Sequence, residues 1–294
     1  MINIDHYLAE KKALVNRALL KCLPDTGPEA VREAMRYSLE AGGKRLRPVL
    51  ALAAAETLDC KEEEVIDAAC ALELIHTYSL IHDDLPAMDD SNLRRGRPTC
   101  HKVYGEAVAV LAGDALLTLA FEVIARYGLK AGRAEKAVRI GSELAKAAGV
   151  TGMIGGQILD LEAEGKELTL PEIETVSAMK TGALLKASVI CGAMAAGAGD
   201  RELGLLGRYA SKLGTAFQVV DDLLDVEGSA EELGKPTGVD QERFKPTFPA
   251  VMGPEAARSK AESLYQEAVA ALEPLERPVE LLSGLAHKLV YRSK

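Results

Sequence analysis

The sequence predicts an all-α protein, and three features point there. Apolar residues recur at helical spacing in long runs, short β-branched runs are few, and no βαβ alternation or GxGxxG turn interrupts them. Trp is absent and aromatic residues make up only 4% of 294 positions, so a core at 48% hydrophobic content is built from Ala, Leu, Val, Ile and Met. Such a core favours helices. No clean linker divides the chain, and the expectation is a single domain over residues 1–294.

The elements follow in order. Residues 4–23 place Leu8, Val15, Leu19 and Leu23 on an inward stripe, Pro24 to Pro28 interrupts, and 29–39 resumes a helix. In AGGKRLRPVL, residues 41–50, Gly42 and Gly43 let backbone approach a ligand closely, and Pro48 suits the first turn of the next helix. If that helix starts at Lys44, Lys44 and Arg47 share a face and Arg45 points elsewhere. Helices are expected at 49–58 and 63–85, with Pro86 as terminator, then at 105–119, 133–149, 151–162, 171–196 and 201–225. A loop at 234–249 precedes two or three closing helices between 254 and 290, and no strand pair is expected anywhere.

Two acidic clusters stand out. LIHDDLPAMDDSNLRRGRPTCH, residues 80–101, carries Asp83, Asp84, Asp89 and Asp90, then Arg94, Arg95 and Arg97. QVVDDLLD adds Asp221, Asp222 and Asp225 after another apolar run. A solvated acidic loop would explain one cluster. Two at the ends of buried helices imply one shared site, because crowded carboxylates repel unless cations sit among them. Without His or Cys ligands the expected ion is magnesium, its shell completed by water or substrate phosphate. The basic residues would then bind remaining phosphate oxygens, over a deep cavity charged at its mouth and apolar below.

The bulk numbers exclude other classes. A net charge of −9 argues against nonspecific nucleic-acid binding. Five scattered cysteines without a CxxC pair argue against a disulfide framework and fit a reducing cytoplasm. No secretory signal is evident, and the apolar runs 107–112 and 116–121 are split by Gly113 and Asp114, so no membrane span is expected.

Taken together, GGKRLRP, the first aspartate motif, LRRGRPT, KTG, FQVVDDLLD and the 234–249 loop resemble the trans-prenyltransferases, or polyprenyl synthetases, and most nearly the bacterial farnesyl diphosphate synthases. The resemblance implies an isoprenoid-synthase helical bundle and a head-to-tail condensation of isopentenyl diphosphate with dimethylallyl and then geranyl diphosphate. It makes Asp83, Asp84, Asp89 and Asp221 magnesium ligands, with Asp222 and Asp225 in support and three ions around bound diphosphate. Asp90 is as readily a solvated helper as a ligand. Gly43, Lys44, Arg47, His76 and Arg95 resemble the isopentenyl diphosphate site; Arg94, Lys180, Lys235 and Lys245 resemble the allylic one. Lys180, Thr181 and Gln218 would face the reacting centre, the oxygens of Thr181 and Gln218 turned toward the developing cation. Tyr78, five residues before Asp83, would stop the growing tail, with small Ser79 beside it. The Pro-Ala-type insertion and this aromatic point to a C15 product; geranylgeranyl diphosphate is the alternative. A noncatalytic partner subunit fits less well because all the expected ligand residues remain, and a terpene cyclase because the second cluster is DDxxD, two basic groups are present and rings to steer a cyclising cation are few. A homodimer is the family's usual assembly.

Overall fold

Punctuation in the sequence sets where each helix stops. The computed structural model describes residues 2–227 and 246–292. α1 (Ile4–Cys22) begins where Asn3 accepts from the His6 amide, a side-chain cap for one of the orphan donors of the first turn. α2 (Glu29–Glu40), α3 (Leu46–Thr57) and α4 (Ile66–Asp83) follow. α4 is apolar on nearly every side and is correspondingly buried from Ala68 to Ile75. It stops at Asp83, ahead of Pro86.

Next comes a feature absent from the sequence-based expectation. β1 (Leu93–Arg94) pairs antiparallel with β2 (Arg97–Pro98), joined by Arg95-Gly96 with both φ values positive, 55° and 74°. A two-residue hairpin turn needs that backbone, and Gly96 supplies half of it. Arg at the other position is an uncommon choice, which is why the sequence does not announce the turn.

α5 (Cys100–Tyr104) leads to α6 (Glu106–Gly128), which runs straight through Gly113-Asp114 instead of ending near 119. By length and composition α6 could cross a membrane, although it packs along α2, α4 and α7. α7 (Ala134–Ala148) buries Ala137, Ile140 and Leu144 on one stripe. α8 (Met153–Ala163) and α9 (Leu170–Ser177) follow, the latter opened by a Thr169–Glu172 capping box.

The helix expected over 171–196 is not continuous. Ala178–Gly182 forms a π-turn between α9 and α10 (Ala183–Ala196), so Lys180 and Thr181 sit on a bulge where the i→i−4 ladder is broken. Gly156 of α8 lies against it: a Cβ there would fall 2.2 Å from the Lys180 amide nitrogen. α11 (Asp200–Glu227), α12 (Phe248–Met252), α13 (Pro254–Leu272) and α14 (Glu280–Val290) complete the described chain. The all-α expectation holds, with the small hairpin as its one departure among the described residues. One buried cluster joins α1, α2, α4, α6, α7 and α10; a second joins α3, α10, α11, α13 and α14.

Candidate active site

The C-terminal end of α4 and the last turns of α11 reach a common cleft. A cavity of about 340 Å³ is lined by Asp83 and Asp89 from one side and by Asp221 and Asp222 from the other, with Arg94, Asp160, Lys180, Thr181 and Gln218 between them. Sequence reasoning brought these four carboxylates together, and the structure does so too.

The other two predicted ligands lie differently. Asp84 is 3% exposed and takes the Arg94 guanidinium at 2.5 Å, so it anchors an arginine rather than facing the cavity. Asp225 is buried one turn beyond Asp221, and a turn of about 5.4 Å rise carries it past the end of the cavity. Exposed Asp90, which has a left-handed backbone, lies 3.9 Å from Lys102.

Burial raises Asp83 to about 6, opposed by the nearby Lys180 and reinforced by Asp89. Lys180 Nζ donates to Asp160 Oδ2 at 2.6 Å. Gln218 Nε2 donates to Asp222 Oδ1 at 2.7 Å, and the Phe248 amide donates to its Oδ2 at 3.1 Å. Among the described residues no three acidic, His or Cys groups close on a single point. The donor set still fits magnesium, which takes one or two carboxylates and fills its octahedron with water and phosphate oxygen.

A second cavity, about 620 Å³, opens beside the first. It is lined by Gly43, Lys44, Arg45, Arg47, His76 and Arg95, with Thr181, Gln218 and Asp221 shared. The hairpin explains the division of labour between adjacent arginines. Arg94 turns to Asp84 and the carboxylates, while Arg95, at the turn, donates to the Gly42 carbonyl oxygen and faces the cations. Gly43, with φ at 122°, leaves the space that the Arg95 guanidinium fills; a Cβ would lie 2.4 Å from it.

α3 begins at Leu46, not Lys44, so the shared face of Lys44 and Arg47 does not come from helical spacing. Arg45 caps the helix in a left-handed conformation and points inward to Glu73. Burial, helped by Arg95, lowers Arg47 to about 10, and its Nε has no partner. Burial and then Arg47 and Arg95 push His76 well below the usual imidazole range, so it is neutral near pH 7.

A third cavity, about 570 Å³, is lined by Tyr78, Ser79, Leu80, Leu117, Met153, Ile158 and Leu161, and it too includes Thr181. Tyr78 is 5% exposed, packs edge-on against His82 at 5.7 Å, and leaves its hydroxyl unpartnered. Thr181 lines all three spaces.

Sequence reasoning missed Arg292. Its Nη2 donates to Asp221 Oδ1 at 3.0 Å, and its guanidinium stacks over Phe217 at 4.1 Å. A basic residue after a terminal helix carries no local signal, and 71 positions separate it from its partner. Sequence reasoning also missed Asp160, the partner of Lys180. Lys235 and Lys245 lie outside the described residues.

The arrangement sets fixed cations around one cavity and clustered carboxylates around the next, beside a pocket with largely apolar walls. Comparison with known proteins agrees with that chemistry. The polyprenyl synthetase family profile matches residues 28–281. The chain is 47% identical to the farnesyl diphosphate synthase of Geobacillus stearothermophilus, across 88% of each chain. It is 48% identical to the large subunit 1 of a heterodimeric chloroplastic geranylgeranyl pyrophosphate synthase from Arabidopsis thaliana, covering 97% of this chain and 78% of that one. An FPP/GFPP synthase crystal structure from Zymomonas mobilis superposes with a TM-score of 0.86 at 34% identity, over 99% of both chains.

Proposed function

The chain belongs to the polyprenyl synthetase family and is a prenyltransferase of the all-α isoprenoid-synthase fold, and from that premise we propose that it makes farnesyl diphosphate. Isopentenyl diphosphate condenses with dimethylallyl diphosphate, then with geranyl diphosphate. The observation that carries this reading is the meeting of three unlike cavities at Thr181.

In this reading Asp83, Asp89 and Asp221 hold magnesium, with Asp222 aligned behind by Gln218 and the Phe248 amide. Magnesium, when bound, neutralises charge developing on the departing allylic diphosphate. Arg94 and Lys180 take its remaining oxygens, joined by Lys235 and Lys245. Arg47, Lys44, Arg95 and neutral His76 hold the diphosphate of isopentenyl diphosphate. The oxygens of Thr181 and Gln218 stabilise the allylic cation as dipoles without capturing it. Among the described residues no side chain in the cleft is placed as an evident base, and the released diphosphate removes the final proton. The apolar walls of the third cavity keep water from the cation.

Tyr78 supports a C15 stop, since its buried ring stands in the tail cavity. The geranylgeranyl reading draws on small Ser79 and on Ile154 and Ile158, which line the same cavity while 44% and 52% exposed. Val103, Val110 and Leu111 are also exposed on and beside α6, as a homodimer contact along this helix requires. A cytoplasmic location is part of this reading, on the scattered spacing of the five cysteines and the lack of a CxxC pair.

Purified protein with Mg²⁺, isopentenyl diphosphate and each allylic primer tests the reading by product sizing. A dominant C15 alcohol after dephosphorylation supports it; a dominant C20 product replaces the product assignment, and no condensation with any primer ends the catalytic reading.

A further inference from the structure

In the wall of the cation-lined cavity is a buried carboxylate that the chemistry above does not use. Glu73 of α4 is 2% exposed and lies one turn before His76. Its Oε1 accepts from Arg45 Nη1 at 2.7 Å. The other Arg45 nitrogens also turn inward: Nε donates to Asn16 Oδ1 at 2.9 Å and Nη2 to the Leu39 carbonyl oxygen. One side chain thus ties the end of the Gly42–Arg45 turn to α1, α2 and α4 together.

The backbone of that turn is unusual. Gly42, Gly43 and Arg45 have φ values of 77°, 122° and 52°, and a non-glycine residue holds such a value only when its surroundings impose it. On the far side, Arg95 donates to the Gly42 carbonyl oxygen. Gly43 and Lys44 hang between these two pins, and Arg47 follows in the first turn of α3.

We propose that Arg45 and Glu73 are a positioning pair that shapes the Gly43–Lys44 turn and aims Arg47 at the diphosphate of isopentenyl diphosphate, without binding that group themselves. The proposal rests on the assignment of this cavity to isopentenyl diphosphate. Charge balance supports it: Glu73 offsets Arg45, Arg47 and Arg95, which would otherwise repel one another where water is scarce. Arg45 has already committed its donors to protein acceptors, whereas Arg47 keeps an unpartnered Nε beside the cavity.

Glu73→Gln and Arg45→Lys test the pair by steady-state kinetics on the full chain, with thermal unfolding measured in parallel. Lys retains the charge but cannot reach three acceptors as the guanidinium fork does. A misplaced turn raises KM for isopentenyl diphosphate by about tenfold or more, with KM for geranyl diphosphate and kcat within about twofold. The double variant shows about the same rise as either single change. Equal rises in both KM values, or a lowered Tm with an unchanged KM for isopentenyl diphosphate, overturn the proposal.

Calorimetric titration of inorganic diphosphate into metal-free protein separates the two levels. Weakened binding in Glu73→Gln keeps the positioning role even if the wild-type enzyme condenses nothing. Unchanged binding removes that role even if farnesyl diphosphate is made.

Discussion

The two cavities that meet beside Thr181 face the same kind of anion with opposite equipment. Among the described residues, one is lined by Lys12, Lys44, Arg45, Arg47, Arg95 and Arg292 against Glu73 and Asp221. The other has Asp83, Asp89, Asp160, Asp221 and Asp222 against Arg94 and Lys180. A diphosphate entering the first meets charges already fixed in place. Entering the second, it needs divalent ions to turn repulsion into attraction. In the proposed reaction only the second ties binding to metal, and that suits the diphosphate that must leave. A bound divalent ion would there stabilise charge as it develops on the leaving group, whereas the fixed side-chain cations would hold a group that stays attached.

The largest effects should come from breaking the carboxylate side. Asp83→Ala and Asp221→Ala are each expected to lower kcat by about 100-fold or more with circular dichroism unchanged. Near-normal turnover in either would remove the metal assignment. Chelation sharpens the contrast: with EDTA present, inorganic diphosphate should still bind the cation-lined cavity, while a nonreactive allylic diphosphate analogue loses affinity by about 100-fold. Equal losses, seen by calorimetry, would erase the distinction between the cavities.

Tyr78→Ala acts on the tail cavity, and gas chromatography of dephosphorylated products should show C20 and longer chains at the expense of C15. An unchanged distribution would move the stop elsewhere. On the cation side, a neutral His76 predicts a modest effect for His76→Gln, about threefold in KM for isopentenyl diphosphate. It also predicts no inflection from this residue between pH 6 and 8. An inflection that vanishes in His76→Gln would contradict this.

The smallest effect concerns stability without metal. The Asp83 carboxyl is raised to about 6 by burial, above its ordinary range near 4, so the folded chain holds an extra proton between those values. Stability from this group is greatest below about pH 4, falls as pH rises through 6, and stays lowered at pH 7. Asp83→Asn should accordingly raise the Tm of the metal-free protein at pH 7, by roughly 1 kcal/mol in stability after allowance for partial exposure. Little change should appear at pH 4. A lower Tm at pH 7 would show that Lys180 more than offsets the burial.

Much of this cleft is legible in the chain itself. The apolar run ending in Asp83 and the run ending in Asp221 both read as buried helices with acidic tips, because periodicity is a local property. What failed were geometries set by distant partners. Asp84 reads like its neighbour Asp83, yet the hairpin returns Arg94 to it. Lys180 and Thr181 read as mid-helix, yet close packing against Gly156 accompanies a π-turn there. Arg45 reads as the basic residue facing away; it faces inward because Glu73, Asn16 and the Leu39 carbonyl oxygen lie there.

By itself the sequence determined the helical class, the two acidic helix ends and the basic turns, since each depends on spacing within a few residues. Only the tertiary structure decided which carboxylate faces the cleft and which arginine serves it. It alone brought Arg292 to Asp221 across 71 residues. The reason is physical: a side chain's partner is chosen by packing of whole helices, and a pattern within one helix carries no record of what lies against it.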